Sequence, residues 1–448
     1  MKNTLKQRAI RSGSWVIFGH LISQVLRLGS NLILTRLLVP EMFGVMVIIT
    51  AIMAGLAMFS DVGLLQNIVQ SKRGEEPDYL NTAWTIQIMR GFFIFFIALI
   101  SATGLYYAGQ YGYLSEETVY GNKQLPFILA IVSSSAIISA FNSIHILLLN
   151  RKLMLGKRVV IELLSQILGL VFMLTWAWYQ RDIWALVFGG LVTVFAKMFL
   201  SHSFRLGERC RLCWDKQAVH EIFHFGKWIF ISSIFVFLLN QGDRLLLGGL
   251  INPEILGVYT VAFIFSNALK DICMKLLGSI FFPLLSEVVR SEPNKVESVY
   301  YNIRFKVDLI TMPVAGFLFS TGRFIIEFLY DERYSSAGVM LEILSISTVT
   351  VGFMLSSQLL LAYGKPKYIS FMGLIQLISF YILVPMCFHL YGFLGAIWVI
   401  SLNPMLRIIM SMIIMKKKFF LNFGREIMMF PLVFIGFIVG EQLKLLLL

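Results

Sequence analysis

Twelve apolar stretches, each long enough to cross a bilayer, succeed one another along this chain with short polar connectors between them. They run over 14–35, 42–66, 82–108, 125–149, 159–179 and 183–200, then over 223–247, 255–285, 302–330, 338–363, 368–390 and 393–415. A spanning helix needs roughly 20 mostly apolar residues, and in hydrocarbon every backbone polar group must be satisfied inside the helix itself. The expected fold class is therefore all-α, a polytopic membrane protein. A further stretch, 426–448, is interrupted by Glu441 and Lys444 and reads either as a thirteenth span or as a helix at the interface. Charged residues make up 14% of the chain, whereas a soluble protein carries about 25% to cover its surface. A set of soluble domains is excluded.

The connectors carry the orientation. Taking the basic start MKNTLKQRAIRSGSW as a retained cytoplasmic tail, the inner connectors hold Lys72 and Arg73, then Arg151, Lys152, Lys157 and Arg158. The long middle connector RLGERCRLCWDKQ adds Arg205, Arg209, Arg211 and Lys216. Later inner connectors hold Arg290, Lys295 and Arg304, then Lys365 and Lys367, then Lys416, Lys417, Lys418 and Arg425. Outer connectors carry little beyond Arg36, Lys123, Arg181 and Arg333. Lys/Arg bias in short loops sets topology, and here it repeats through every alternation. The net charge of +13 is mostly accounted for by this bias, so nucleic-acid binding has no separate support.

The chain also repeats itself. Pro40-Glu41-Met42-Phe43-Gly44-Val45 matches Pro253-Glu254-Ile255-Leu256-Gly257-Val258 at an offset of 213 residues. The same offset carries Gly13 and Trp15 onto Gly226 and Trp228, and Leu147, Leu148 and Lys152 onto Leu360, Leu361 and Lys365. Six spans per half is an even number, so both halves face the membrane the same way. The expectation is two parallel six-helix bundles related by a pseudo-two-fold axis along the membrane normal, with a cavity where they meet. The lobes expected are 1–203 and 223–416, joined by a basic connector over 204–222 and followed by a C-terminal segment, 417–448. Both Pro-Glu pairs sit at helix starts, where proline loses no hydrogen bond and glutamate suits the positive helix end, so they receive no transport role.

Catalytic signatures are missing: there is no G-x-x-x-x-G-K-[ST] phosphate loop and no H-E-x-x-H metal site. Outer connectors are short, the longest over 109–124, which leaves little room for a catalytic domain. Four cysteines, Cys210, Cys213, Cys273 and Cys387, make no disulfide framework. Cys210 and Cys213 with His220 and His224 fall short of zinc-finger spacing and read as an incidental pair. A transporter, not an enzyme, is expected, with no cofactor or metal.

Ionisable groups at membrane depth are costly and usually face protein or a water-filled path. His20, Gln24, Arg27 and Asn31 fall on one face of the first span. Arg27 lies ~18 Å from Trp15 along the helix, close to mid-membrane. Lys270, Asp271 and Lys275 lie on the eighth span, where Asp271 and Lys275 can pair and leave Lys270 the freer cation. Asn240, Asp243 and Arg244 sit toward the outer end of the seventh. Arg90 and Arg407 complete the cations, with snorkelling to the interface as the alternative role. Asp61, Glu162 and Asp308, near inner helix ends, join Asp243 and Asp271 as carboxylates for ion coupling, with interfacial salt bridges as the competing reading.

Three segments, RSGSWVIFGHLISQVLRLGSNLILTRLLVPEMFG, FSDVGLLQNIVQ and NQGDRLLLGGLINPEILGVYTVA, resemble bacterial polysaccharide exporters of the lipopolysaccharide/exopolysaccharide flippase type. These belong to the multidrug/oligosaccharidyl-lipid/polysaccharide exporter superfamily, and the resemblance covers roughly 8–415. It implies an inner-membrane protein that turns undecaprenyl-pyrophosphate-linked sugar repeat units to the outer leaflet by alternating access. It also implies that cavity cations meet the pyrophosphate or acidic sugars, with Arg27 at the matching first-helix position; Lys270 comes from the residues alone. A proton or sodium ion is the candidate coupling ion, and a polysaccharide polymerase a candidate partner. A cation-coupled multidrug exporter, the alternative within the superfamily, would be expected to carry carboxylates where this chain has Arg27 and Lys270. A membrane enzyme of polysaccharide assembly is the more distant alternative.

Overall fold

The computed structural model describes residues 2–204, 206–418, 420 and 422–447, without the side chains of 2–11, 225, 227–229, 231–232, 279, 417–418, 423 and 447. Arg205 and the side chains of Trp228, Lys417 and Lys418 lie outside the described residues. Among those described there is no strand. Among the described residues ten helices are long and apolar enough to cross a membrane, and a pair bent by 62°, Leu125–Ala140 with His145–Arg151, is so only when its two parts are taken together. The protein is an all-α, multi-pass membrane protein. Two compact units divide it, Met1–Gly257 and Val258–Leu448.

The first unit contains α1 (Lys2–Leu37), α2 (Pro40–Phe59), α3 (Leu64–Gln70), α4 (Pro77–Gln110), α5 (Leu125–Val132), α6 (Ser134–Ala140), α7 (His145–Arg151), α8 (Leu155–Tyr179), α9 (Trp184–Ser203) and α10 (Lys216–Gly248). The start of α11 (Pro253–Leu276) belongs to it as well. Along α2, Gly55 takes the ring of Phe237 from α10, which also meets Phe59 edge-on at 4.9 Å. The repeated helix starts touch each other reciprocally. A Cβ on Gly44 would fall 1.9 Å from the Pro253 carbonyl oxygen, and one on Gly257 would fall 1.8 Å from that of Pro40. Only glycine allows backbones so close. Within this unit the repeated Pro-x-x-x-Gly segments, Pro40–Gly44 and Pro253–Gly257, therefore touch through their own repeated residues.

The second unit continues α11 through a π turn, Leu277–Phe281, into α12 (Phe282–Ser291). Pro283 explains that turn, because it has no N–H and its ring crowds the carbonyl four residues back. Next come α13 (Val296–Leu329), α14 (Ala337–Ser345), two 3₁₀ turns over Ile346–Thr350 and Gly352–Met354, and α15 (Leu355–Ala362). α16 (Pro366–Lys418) breaks at Gly392, φ 69°, which separates the apolar stretches 368–390 and 393–415. α17 (Phe423–Ile427) and α18 (Pro431–Leu447) end the chain.

The segment left open by sequence is a docked helix. α18 runs parallel to α13, and Gly436 and Gly440, one helical turn apart, press on Pro313 and Ser320, while Gly316 meets the Val433 carbonyl. Small residues at this spacing let membrane helices pack backbone to backbone. Glu441 and Lys444, which interrupt the apolar run, pair with each other at 2.6 Å. Gly436→Leu is expected to undock α18, since its Cβ would start 2.0 Å from the Pro313 carbonyl oxygen. The cost of such overpacking is about 1–3 kcal/mol. A lower thermal midpoint and faster amide exchange over 431–447 would register it; unchanged exchange would refute the packing.

Candidate substrate and coupling residues

In the first unit, α1 rests on α8 through Ser23, whose hydroxyl donates to Gln166 Oε1 at 2.7 Å. Its carbonyl accepts from Gln166 Nε2 at 3.2 Å. One turn away, Gly19 lies against Val159. His20, Gln24, Arg27 and Asn31 occupy the neighbouring face. Gln24 and Asn31 are buried, His20 is half-buried, and Arg27 between them is exposed. Arg27 is thus the exposed member of a polar face on an otherwise largely apolar helix.

Arg90 on α4 turns to the end of α2. It donates to the Ala57 carbonyl and the Ser60 hydroxyl, and lies 3.7 Å from Asp61. Asp61 also accepts from the Gly63 amide at 3.0 Å. Arg90 thus supplies the orphan carbonyls of a helix C-terminus with donors. Glu162 is held by Arg158 at 3.0 Å and Lys197 at 3.4 Å. In α10, Asn240 is exposed, Asp243 is buried and Arg244 donates to Gln241 at 2.7 Å.

In the second unit, Lys270 of α11 is not the freer cation expected from spacing, because its ammonium donates to the Ser347 hydroxyl. The 3₁₀ turn carrying Ser347 interrupts the helical run between α14 and α15 and turns polar atoms toward α11. Asp271 and Lys275 are exposed. Arg407 of α16 donates to Ser357 at 3.1 Å.

The middle connector is laid out as an extended strip along the first turns of α4. The amides of Arg211, Cys213 and Asp215 bond Asn81, Thr85 and Thr82 in that order, at 3.0, 3.1 and 3.0 Å. Arg73 closes the strip, 2.7 Å from Asp215 and 2.8 Å from Glu76. The hydrogen bond from Arg73 holds the Asp215 carboxyl below its ordinary range, and Asp215 in turn pushes the Arg73 guanidinium up. Arg73 and Asp215 keep 24% and 26% of their side-chain surface, enough for solvent to screen the pair, which locates the connector rather than supplying much stability. Cys210 approaches His145 and Ser143 at 3.8 Å, and His220 stacks on His224 with ring centroids 6.0 Å apart. Among the described residues no three His, Cys, Asp or Glu side chains converge as a metal site would require.

One cluster corrects the sequence reading. Arg304, assigned above to an inner connector, lies inside α13 and is 1% exposed. Its Nε donates to Asp308, one turn on, at 2.5 Å, and its Nη1 donates to Glu426 of α17 at 2.8 Å. The i, i+4 spacing of Arg304 and Asp308 was a visible signal; Glu426, 122 residues away, gave none.

The fold is that of membrane exporters and flippases. The lipid II flippase MurJ in its inward closed conformation matches with a TM-score of 0.68 at 10% identity, over 95% of this chain and 98% of that one. An inward-facing multidrug resistance MATE family transporter of the MOP superfamily matches with a TM-score of 0.63 at 14% identity, over 94% of each chain. By its sequence, this chain belongs to the polysaccharide biosynthesis protein family, whose model matches residues 33–339, more than half its length. The family resemblance read from the three sequence segments is borne out. A putative O-antigen transporter of Shigella flexneri is 22% identical over 86% of this chain and 93% of its own. In two further relatives, each 21% identical, the match spans 69% and 61% of the relative's length.

Proposed function

We propose that this protein turns an undecaprenyl-pyrophosphate-linked oligosaccharide repeat unit from the cytoplasmic to the outer leaflet by alternating access, for surface polysaccharide synthesis. The observation that carries this reading is Arg27, an exposed arginine in the middle of an apolar first helix, flanked on its face by buried Gln24 and Asn31. A pyrophosphate head needs a cation at depth, and an arginine fork matches phosphate oxygens in pairs. Membership of the polysaccharide biosynthesis family and the relative described as an O-antigen transporter support the substrate class. Lys270 contributes a second cation, with Arg90, Arg244, Asn240 and His20 as further polar contacts.

The arrangement proposed is two six-helix halves, 1–203 and 223–416, in parallel orientation, with the N-terminus cytoplasmic. The reciprocal Gly44–Pro253 and Gly257–Pro40 approaches support a two-fold relation between the repeats. Lys/Arg bias in the connectors supports the orientation. A cation-coupled drug exporter shares the fold but would place a carboxylate where α1 has Arg27. In a strain lacking this protein, lipid-linked sugar is expected to accumulate in the cytoplasmic leaflet, scored by leaflet-resolved labelling. Normal outer-leaflet delivery would reject the flippase.

A further inference from the structure

The face of α13 that carries Arg304 and Asp308 is buried against the 3₁₀ turns and α17. Its charges do not balance. Arg304, Asp308 and Glu426 each keep about 2% of their side-chain surface, so one cation faces two carboxylates with almost no water. The guanidinium carbon stacks 3.6 Å over the Phe353 ring. Asp308 Oδ1 and Arg304 Nη2 are buried and have no hydrogen-bond partner.

The surroundings supply no second buried cation among the described residues. On α13 the neighbouring groups are Tyr300, buried, and Tyr301, whose hydroxyl meets Glu426 and accepts from the Asn422 amide at 2.8 Å. From α17, Arg425 is more than half exposed and lies 3.9 Å from Glu297, over the Tyr301 ring. The segment 346–354 carries no charged residue, and Arg407 of α16 is engaged by Ser357. Two ionised carboxylates would thus leave one uncompensated negative charge in a low-dielectric site. Like charges sharing such a site hold a proton instead. A metal ion fits less well at the orphan oxygen, because Oδ1 lies against Gly352 where a Cβ would come within 1.7 Å.

We propose that the Arg304–Asp308–Glu426 triad binds one exchangeable proton, shared between its two carboxylates, and that this is where transport is coupled to protons. The coupling clause rests on the flippase reading; the binding clause does not. Protonation leaves one carboxylate for one arginine, a neutral pair. Deprotonation restores the excess charge and loosens the hold of α17 on α13.

The test is infrared difference spectroscopy of the purified full-length protein in lipid nanodiscs, titrated between about pH 5 and 9, the range in which a buried carboxyl of raised affinity releases its proton. The wild type is expected to show a carboxylic-acid carbonyl band that disappears as pH rises. Asp308→Asn and Glu426→Gln should each abolish it, because either leaves a single carboxylate that ionises beside Arg304. Both variants keep a neutral arginine–carboxylate pair and so should fold. No band in the wild type, a band indifferent to pH, or one that survives in both variants would overturn the site. A band removed by sodium at constant pH would overturn the proton as its ligand. A titrating band in a protein whose loss leaves sugar export intact would uphold the site and reject the flippase; the reverse combination would reject the site alone.

Discussion

Replacing Arg304 with methionine is expected to leave little folded protein in the membrane, the largest stability loss foreseen for any single substitution in the second unit. The change removes the one buried cation, among the described residues, from a site with two carboxylates, each about 2% exposed. Breaking a buried ion pair by removing one partner costs about 3–5 kcal/mol, because the remaining charge has no compensation. Here two carboxylates remain and must either protonate or undock α17 from α13. Methionine keeps most of the stem that packs on Phe353, so the loss reports charge more than volume. The triple variant Arg304→Met, Asp308→Asn, Glu426→Gln should recover much of the stability, since neutral groups of similar size avoid the desolvation cost. Membrane-fraction yield and the thermal midpoint in nanodiscs measure both. Equal stability of the Arg304→Met form and the wild type would refute the triad's structural weight.

Most span positions were legible because apolar run length is a one-dimensional signal, but the run 125–149 is split among α5, α6 and α7, and the run 338–363 is interrupted by 3₁₀ turns. Run length even located the break in α16, where Gly392 separates two stretches read as distinct. The repeat was legible at Pro40–Val45 and Pro253–Val258, where Gly44 and Gly257 approach the Pro253 and Pro40 carbonyls. What sequence could not supply was pairing across long separations. Arg304 followed an inner connector and joined the tally of basic residues, although Glu426 holds it inside the protein. Lys270 looked unengaged because spacing on α11 revealed Asp271 and Lys275 but not Ser347, 77 residues on. The docking of α18 was hidden by Glu441 and Lys444, while Gly436 and Gly440, a recognisable small-residue pair, sat in the same stretch. Charge read along a line overstates how exposed a group is when its partner comes from another helix.

Arg27→Ala is expected to abolish most outward movement of the lipid-linked sugar while the protein still inserts at a normal level. Arg27 is exposed on α1, in the middle of the span Ser12–Leu37. Helix packing against α8 runs through Ser23 and Gly19, on the adjacent face, so removing the guanidinium leaves that contact intact. If Arg27 meets the pyrophosphate, charge and geometry separate in the substitution series. Arg27→Lys keeps the charge but loses the paired donors, so transport falls partly. Arg27→Gln keeps hydrogen bonding without charge and should resemble alanine. Truncating one partner of a charge-assisted contact costs about 2–5 kcal/mol of binding, so head-group affinity should fall by more than tenfold in both neutral forms. Lys270→Ala should be milder, because its ammonium is a point charge already shared with Ser347. The competing account gives Arg27 a structural task, tying the first span to the rest of its unit. Under that account the alanine and glutamine forms lose protein level together, and the lysine form keeps both level and transport. Matched-level assays of head-group binding and leaflet transfer across the four proteins separate the two accounts, and normal transport by either neutral form would end the contact hypothesis.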